Sequence, residues 1–280
     1  MSNSLVSVGW LQDHLADSTI AIVDCRFALT DPTAGQQQYQ QGHIPGAHYL
    51  DLNRQLSGPV QPHGGRHPLP DVATLAATLR QIGINSTSDT GPTWVVAYDD
   101  SRFAFASRLW WLLRYLGHER VSVLDGGWAG WQAAGAPVST ECPSVPPGNF
   151  RPQVNPEQVV DIHQVKAQKD QPGVVLVDAR EGDRYRGERE PIDPIAGHIP
   201  GAVNYPWPEV TDGTGHARSP AEQRQRWAAI AEADSVIVYC GSGVTACVNL
   251  LSLDLAGLST GKLYAGSWSD WCSYLPPANP

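Results

Sequence analysis

The stretch V-I-V-Y-C-G-S-G-V-T-A-C, Val236 to Cys247, sets a thiol at the mouth of a glycine-rich turn. A cysteine attacks as its thiolate, and a free thiol is mostly protonated near neutral pH. Gly241, Ser242, Gly243, Val244 and Thr245 join an apolar run to a helix-like stretch, and the two glycines permit φ angles that turn successive N–H groups inward. Such a nest, with the positive end of a helix behind it, favours an anion at its focus. Cys240 is therefore expected to be a nucleophile whose sulfur, or any anionic group it carries, is cradled by residues 241–245. Cys25, Cys142, Cys247 and Cys272 lack that setting and read as ordinary cysteines. Cys247 lies seven residues on, about 10 Å along a helix. A disulfide requires Cα atoms within about 7 Å, so no Cys240–Cys247 bridge is expected.

Two other chemistries share these letters. G-S-G-V-T-A (Gly241–Ala246) matches the G-x-G-x-x-A dinucleotide fingerprint, but the next apolar run, K-L-Y, has no acid at its end to hold a ribose. A cysteine phosphatase loop would place arginine six residues past the nucleophile, where Ala246 stands, so the bidentate phosphate clamp is missing.

The elements that must position Cys240 occur twice. I-V-D-C-R (Ile22–Arg26) recurs as L-V-D-A-R (Leu176–Arg180), and G-H-I-P-G-A (Gly42–Ala47) recurs letter for letter as Gly197–Ala202. W-V-V-A-Y-D-D (Trp94–Asp100) parallels V-I-V-Y-C-G, which sets Asp99 opposite Cys240, and L-D-G-G-W-A-G-W (Leu124–Trp131) parallels Y-A-G-S-W-S-D-W (Tyr264–Trp271). Four blocks in one order mean a duplicated domain rather than a solenoid unit. The Pro/Ser/Gly-rich stretch Ala136–Gly148 marks the seam, giving a first domain 1–136, a linker 137–157 and a second domain 158–280.

Short, continuous apolar runs at Ile20–Val23, Trp94–Ala97, Val121–Leu124, Val174–Val177, Val236–Val238 and Lys262–Tyr264 suit strands buried on both faces. Helical stretches are expected at Asp71–Ile82, Phe103–Leu116, Pro220–Ala233 and Val244–Leu258. The alternation predicts α/β architecture, two tandem domains each with a central, mostly parallel sheet flanked by helices. Ligands of such sheets bind beyond the carboxyl ends of the strands, where Cys240 sits.

His43 and His198, within the repeated G-H-I-P-G-A, occur in the copy with a cysteine and in the copy without, so a structural turn is expected of them. Asp24–Arg26 and Asp178–Arg180 read as scaffold ion pairs for the same reason. Trp110, Trp111, Trp128, Trp131, Trp268 and Trp271 read as packing residues rather than a base-stacking surface. The formal charge of −9 on 280 residues argues against nucleic acid and against an anionic membrane surface. No apolar run reaches a membrane span, the N-terminus lacks the pattern of a secretory signal, and five scattered cysteines suggest a reducing cytoplasm. No metal site or cofactor is expected.

Taken together, the duplicated D-x-R, G-H-I-P-G-A and G-x-W-x-x-W blocks with one cysteine loop resemble the two-domain rhodanese family of thiosulfate and 3-mercaptopyruvate sulfurtransferases, from about Val8 to Leu275. The resemblance implies an active cysteine in the second domain facing an interdomain cleft, and a first domain that has lost its nucleophile to Asp99. It implies ping-pong transfer: Cys240 takes sulfur from a small anionic donor, becomes a persulfide and passes the sulfur to cyanide, a small thiol or thioredoxin. The loop C-G-S-G-V-T resembles the mercaptopyruvate type, and Arg184 in D-R-Y-R-G matches an arginine that holds that donor's carboxylate. Ser242, with the histidine of an H-x-L-P motif, here His67 in H-P-L-P, is implied in proton handling. The family's second substrate arginine falls at Asp193, with Arg186 and Arg189 near enough in sequence to stand in, and the acid expected to orient the histidine falls at Asn53, leaving Asp51. Mercaptopyruvate is favoured; thiosulfate:cyanide transfer and a non-catalytic sulfur carrier are the alternatives. His67 lies in a segment, Gln55–Pro70, that lengthens the first copy relative to the second.

Overall fold

The computed structural model describes residues 4–276, which form two compact units. The first comprises residues 4–58, Pro70–Asn155 and Thr211–Ala217; the second comprises Pro59–Leu69, Pro156–Val210 and residues 218–276.

In the first unit the strands are β1 (Leu5–Val6), β2 (Ile20–Asp24), β3 (Ala47–Tyr49), β4 (Trp94–Tyr98) and β5 (Val121–Leu124). They form one parallel sheet in the order β1-β5-β4-β2-β3. Its helices are α1 (Val8–Asp13), α2 (Ala34–Gln41), α3 (Val72–Gln81), α4 (Ala106–Tyr115) and α5 (Gly127–Ala133). The second unit repeats the plan with β6 (Val159–Val160), β7 (Val174–Asp178), β8 (Val203–Asn204), β9 (Ser235–Tyr239) and β10 (Gly261–Tyr264), ordered β6-β10-β9-β7-β8 and again parallel. Its helices are α6 (Ile162–Gln168), α7 (Gly182–Tyr185), α8 (Pro220–Trp227), α9 (Ala246–Ala256) and α10 (Ser267–Cys272). The two-domain α/β architecture expected from the sequence is the one found.

The central strands are buried on both faces, as their continuous apolar runs require: Val95–Tyr98 and Val236–Tyr239 are all sealed from solvent. The register pairs Asp24 with Tyr98 and Asp178 with Tyr239. That pairing explains the repeated motifs. Arg26 donates to Asp24 at 2.6 Å and to the Gly42 carbonyl at 2.7 Å, and Arg180 makes the same bonds to Asp178 and Gly197. The Tyr98 hydroxyl receives the Ile44 N–H, and the Tyr239 hydroxyl that of Ile199. His43 and His198 bond the carbonyls of Tyr39 and Tyr185 through Nδ1, each at 2.7 Å, and stack on those same rings. Trp128 and Trp268 lie against the guanidinium groups of Arg26 and Arg180. These residues hold the sheet edge in place in both copies. The six tryptophans assigned to packing are all buried.

Helix boundaries depart from the periodicity where backbone sign intervenes. α4 begins at Ala106 rather than Phe103 because Arg102 and Phe103 take φ of 57° and 73°. α9 begins at Ala246 rather than Val244 because Gly243 has φ 75°. α8 ends at Trp227, and residues Ala228–Ile230 tighten into a 3₁₀ turn. Among the described residues no helix is long and apolar enough to cross a membrane.

Candidate active site

Cys240 follows β9 directly and is 2% exposed. Its N–H donates to Ser267 Oγ at 3.1 Å, and its carbonyl receives the Trp268 N–H at 2.9 Å, so the first turn of α10 fixes the backbone of the thiol. Ser267 does this from a left-handed conformation, φ 56°, while its hydroxyl donates to the Tyr264 carbonyl. The Gly243 N–H points back at Cys240 Sγ at 3.2 Å. A side chain is excluded at Gly243 twice over, by its positive φ and by the Ala265 carbonyl, 2.3 Å from where a Cβ would lie. The turn between β9 and α9 thus aims at least one amide at the sulfur and sets the helix start behind it, an environment that suits a negatively charged sulfur.

Ser242 stands in the same turn, and its Oγ lies 2.8 Å from His67 Nδ1, with both residues buried. His67 arrives on the segment Pro59–Leu69, which the second unit holds at three points. Gly64 N–H donates to Asp270 at 2.7 Å, Arg66 N–H donates to Ser269 Oγ at 3.1 Å, and His63 Nδ1 lies 2.7 Å from Ser273 Oγ. Gly65, with φ 82°, packs so tightly that a Cβ would lie 2.4 Å from the Gly266 carbonyl.

Arg184, on α7, donates to Glu190 through Nη2 at 2.7 Å and Nε at 3.2 Å, and reaches Asp193 at 3.4 Å. Arg66 pairs with the other oxygen of Asp193. Both guanidinium groups overhang the turn: a Cβ on Gly241 would lie 3.1 Å from Arg66 Nη2 and 3.5 Å from Arg184 Nη2. Burial raises the Asp193 carboxyl above its ordinary pKa although Arg66 and Arg184 pull it down, whereas the hydrogen bond from Arg184 helps hold Glu190 below its usual value despite burial. Burial and the nearby Asp193 push the Cys272 thiol up to about 12.

Cys240, Ser242, His67 and the turn Gly241–Thr245 therefore converge, and Arg184 joins them over Gly241. Arg189 is placed on the surface, its side chain 53% exposed and its Nε donating to Asp183 at 2.5 Å. Arg186 pairs with Glu188, also exposed. In the first unit Asp51 caps its own turn by receiving the N–H groups of Asn53 and Arg54. The structure adds Arg66, Glu190, Ser267, Ser269 and Asp270 to the residues around the turn. A signal for three of them was present: Ser267, Ser269 and Asp270 replace Gly127, Ala129 and Gly130 of the matching block. For Arg66 the only pointer is its place beside His67.

The first unit shows what the same turn does without a thiol. Asp99 is buried at the end of β4, and its carboxylate receives four amides: those of Ser101 and Phe103 on Oδ1, at 2.8 and 3.1 Å, and those of Phe105 and Ala106 on Oδ2, each at 2.8 Å. In the first copy the anion nest is filled by the protein's own carboxylate.

A match to the Rhodanese-like domain covers residues 7–134 and again 161–274. The chain belongs to the rhodanese family. It is 46% identical over 275 residues to a Pseudomonas aeruginosa protein named a probable 3-mercaptopyruvate sulfurtransferase, spanning 96% of this chain and 95% of that one. It is 36% identical to the 3-mercaptopyruvate sulfurtransferase of Escherichia coli over 95% of this chain and 94% of that one. The crystal structure of SseA from Escherichia coli superposes with a TM-score of 0.82 at 35% identity, covering 96% of this chain and 100% of that one. As a two-copy member of this family with relatives of these names, the chain is a sulfurtransferase.

Proposed function

We propose that the protein transfers sulfur from 3-mercaptopyruvate through a persulfide on Cys240. The Cys240 thiolate attacks the donor sulfur; the S–S bond forms as the C–S bond breaks, and the electron pair departs on carbon as the enolate of pyruvate. The proton of the donor thiol ends on that carbon, completing the methyl group, so atoms and charge balance. An acceptor nucleophile then takes the outer sulfur and returns the thiolate: cyanide leaves as thiocyanate, and a thiol leaves as its persulfide. Gly243 N–H and the helix start favour the anionic persulfide as they favour the thiolate.

The observation that carries the donor preference is the 2.8 Å contact between Ser242 Oγ and His67 Nδ1 beside Cys240. Mercaptopyruvate needs a proton moved from sulfur to carbon, and a hydroxyl–imidazole pair supplies a route. Thiosulfate needs none, because attack on its outer sulfur expels sulfite directly. A side-by-side kcat/KM for the two donors with cyanide as acceptor tests this: mercaptopyruvate should give the higher value, and a higher value for thiosulfate would replace this reading with thiosulfate:cyanide transfer. Continued turnover, rather than a single equivalent of thiocyanate, separates an enzyme from a sulfur carrier. The acceptor in the cell is proposed to be a small thiol or a thioredoxin-like protein, and five scattered cysteines suit a reducing cytoplasm.

A further inference from the structure

Two guanidinium groups, two buried carboxylates and a glycine without a side chain meet beside Cys240, and the family resemblance implies a role only for Arg184 among them. Arg184 comes from α7, Arg66 from the segment Pro59–Leu69, and both lie against Gly241. A methyl group on Gly241 would crowd Arg66 Nη2 at 3.1 Å, so the glycine lets the cations approach the turn that carries the nucleophile. The two arginines share Asp193, whose side chain is 2% exposed.

The two carboxylates of the cluster are held differently. Glu190 receives Arg180, Arg184 through two nitrogens, and the N–H groups of Ile192 and Asp193. Asp193 Oδ1 meets Arg66, while its Oδ2 reaches Arg184 only at 3.4 Å. Glu190 is thus a fixed counter-ion, and Asp193 is the one whose partners can be taken by another anion.

We infer that Arg66 and Arg184 together grip the anionic head of the donor, and that Asp193 occupies its place between turnovers. This deepens the proposed function and rests on its assignment of Cys240 and a small anionic donor. The second cation of the donor site is then supplied by the segment that carries His67, rather than by the stretch after α7 where Asp193 stands. A planar carboxylate suits two guanidinium forks, and a sulfonate would bind the same pair less selectively.

The test uses the full chain and the split between donor and acceptor kinetics. Arg66→Ala should raise the KM for mercaptopyruvate about tenfold while the KM for a neutral acceptor thiol, 2-mercaptoethanol, stays within about twofold. Asp193→Asn removes the resident competitor and should lower the donor KM about threefold. A purely structural ion pair gives loss from either half, so the opposite signs are diagnostic. A donor KM that rises less than about threefold in Arg66→Ala, or that fails to fall in Asp193→Asn, overturns the inference. If Arg66→Ala does not fold, Arg66→Lys, which keeps the charge and loses the fork, must shift the donor KM in the same direction. Protection of Cys240 from iodoacetamide by pyruvate or by sulfite, the products of the two donors, gives a readout that does not need turnover: Arg66→Ala should raise the protecting concentration about tenfold. Absent turnover in the unaltered chain would count against the proposed function, whereas unaltered protection in Arg66→Ala would count against the role of Arg66 alone.

Discussion

Asp99 and Cys240 occupy matching strand ends, and the difference between them is one of occupancy. Four amides converge on the Asp99 carboxylate, so Asp99→Asn must turn an NH₂ group toward N–H donors. We expect a loss of about 2 kcal/mol in urea unfolding, although the substitution is isosteric and removes a buried charge. Asp193→Asn should behave differently. Its carboxyl, facing Arg66, Arg184, Arg180 and Glu190, titrates above the ordinary 3.8 because burial outweighs the arginines. The folded protein holds that proton more tightly than the unfolded chain does, so the associated stability is complete below the ordinary value and is lost as pH rises through the raised one. Asparagine does not titrate. Urea midpoints should therefore favour Asp193→Asn over the unaltered protein more at about pH 7 than at about pH 4; a constant or reversed difference would contradict the assignment. His67→Ala should lower kcat/KM for mercaptopyruvate about hundredfold and leave the thiosulfate half-reaction within about threefold, because only the first moves a proton. Cys240 and Ser242 were legible because a glycine turn after an apolar run has local chemical meaning. Arg66 was not, because its role depends on where a distant segment packs.

At the level of elements, the differences between the duplicated blocks concentrate around the thiol. Tyr264, Ser267, Ser269 and Asp270 stand where the first copy has Leu124, Gly127, Ala129 and Gly130. Asp270 receives both the Tyr264 hydroxyl and the Gly64 N–H, Ser269 receives the Arg66 N–H, and Ser267 receives the Cys240 N–H. α10 has become the mount for both the nucleophile and the segment bearing Arg66 and His67. Ser267 separates strain from hydrogen bonding: its φ of 56° suits the glycine found at Gly127, but glycine has no hydroxyl. Ser267→Ala keeps the strain and loses the bond, so it should cost about 1 kcal/mol more than Ser267→Gly in thermal unfolding. Equal costs would mean that the backbone there is unstrained. The long helices and central strands were readable from periodicity because burial dictates it. Their first turns were not, because positive φ at Arg102, Phe103 and Gly243 answers to the anion nest and not to amphipathicity. The short strands β1, β3, β6 and β8 carry too few residues for a pattern.

For the whole molecule, duplication was the most legible property, since four blocks repeat in order, and the fold confirms two copies of one sheet topology. Less legible was the exchange that completes each unit: Pro59–Leu69 belongs with the second, and Thr211–Ala217 with the first. The sequence shows the longer first copy but not where its extra residues pack. Because Arg66 and His67 lie on that segment, residues from the first half of the chain stand beside the turn that follows Cys240. A Cys240 persulfide can be sought by incubating the protein with 3-mercaptopyruvate without acceptor and mapping the product by peptide mass spectrometry. One added sulfur atom on the Cys240 peptide, an equal amount of pyruvate, and removal of that sulfur by cyanide as thiocyanate are expected. Pyruvate release with Cys240 unmodified, or with the sulfur on another cysteine, would contradict it.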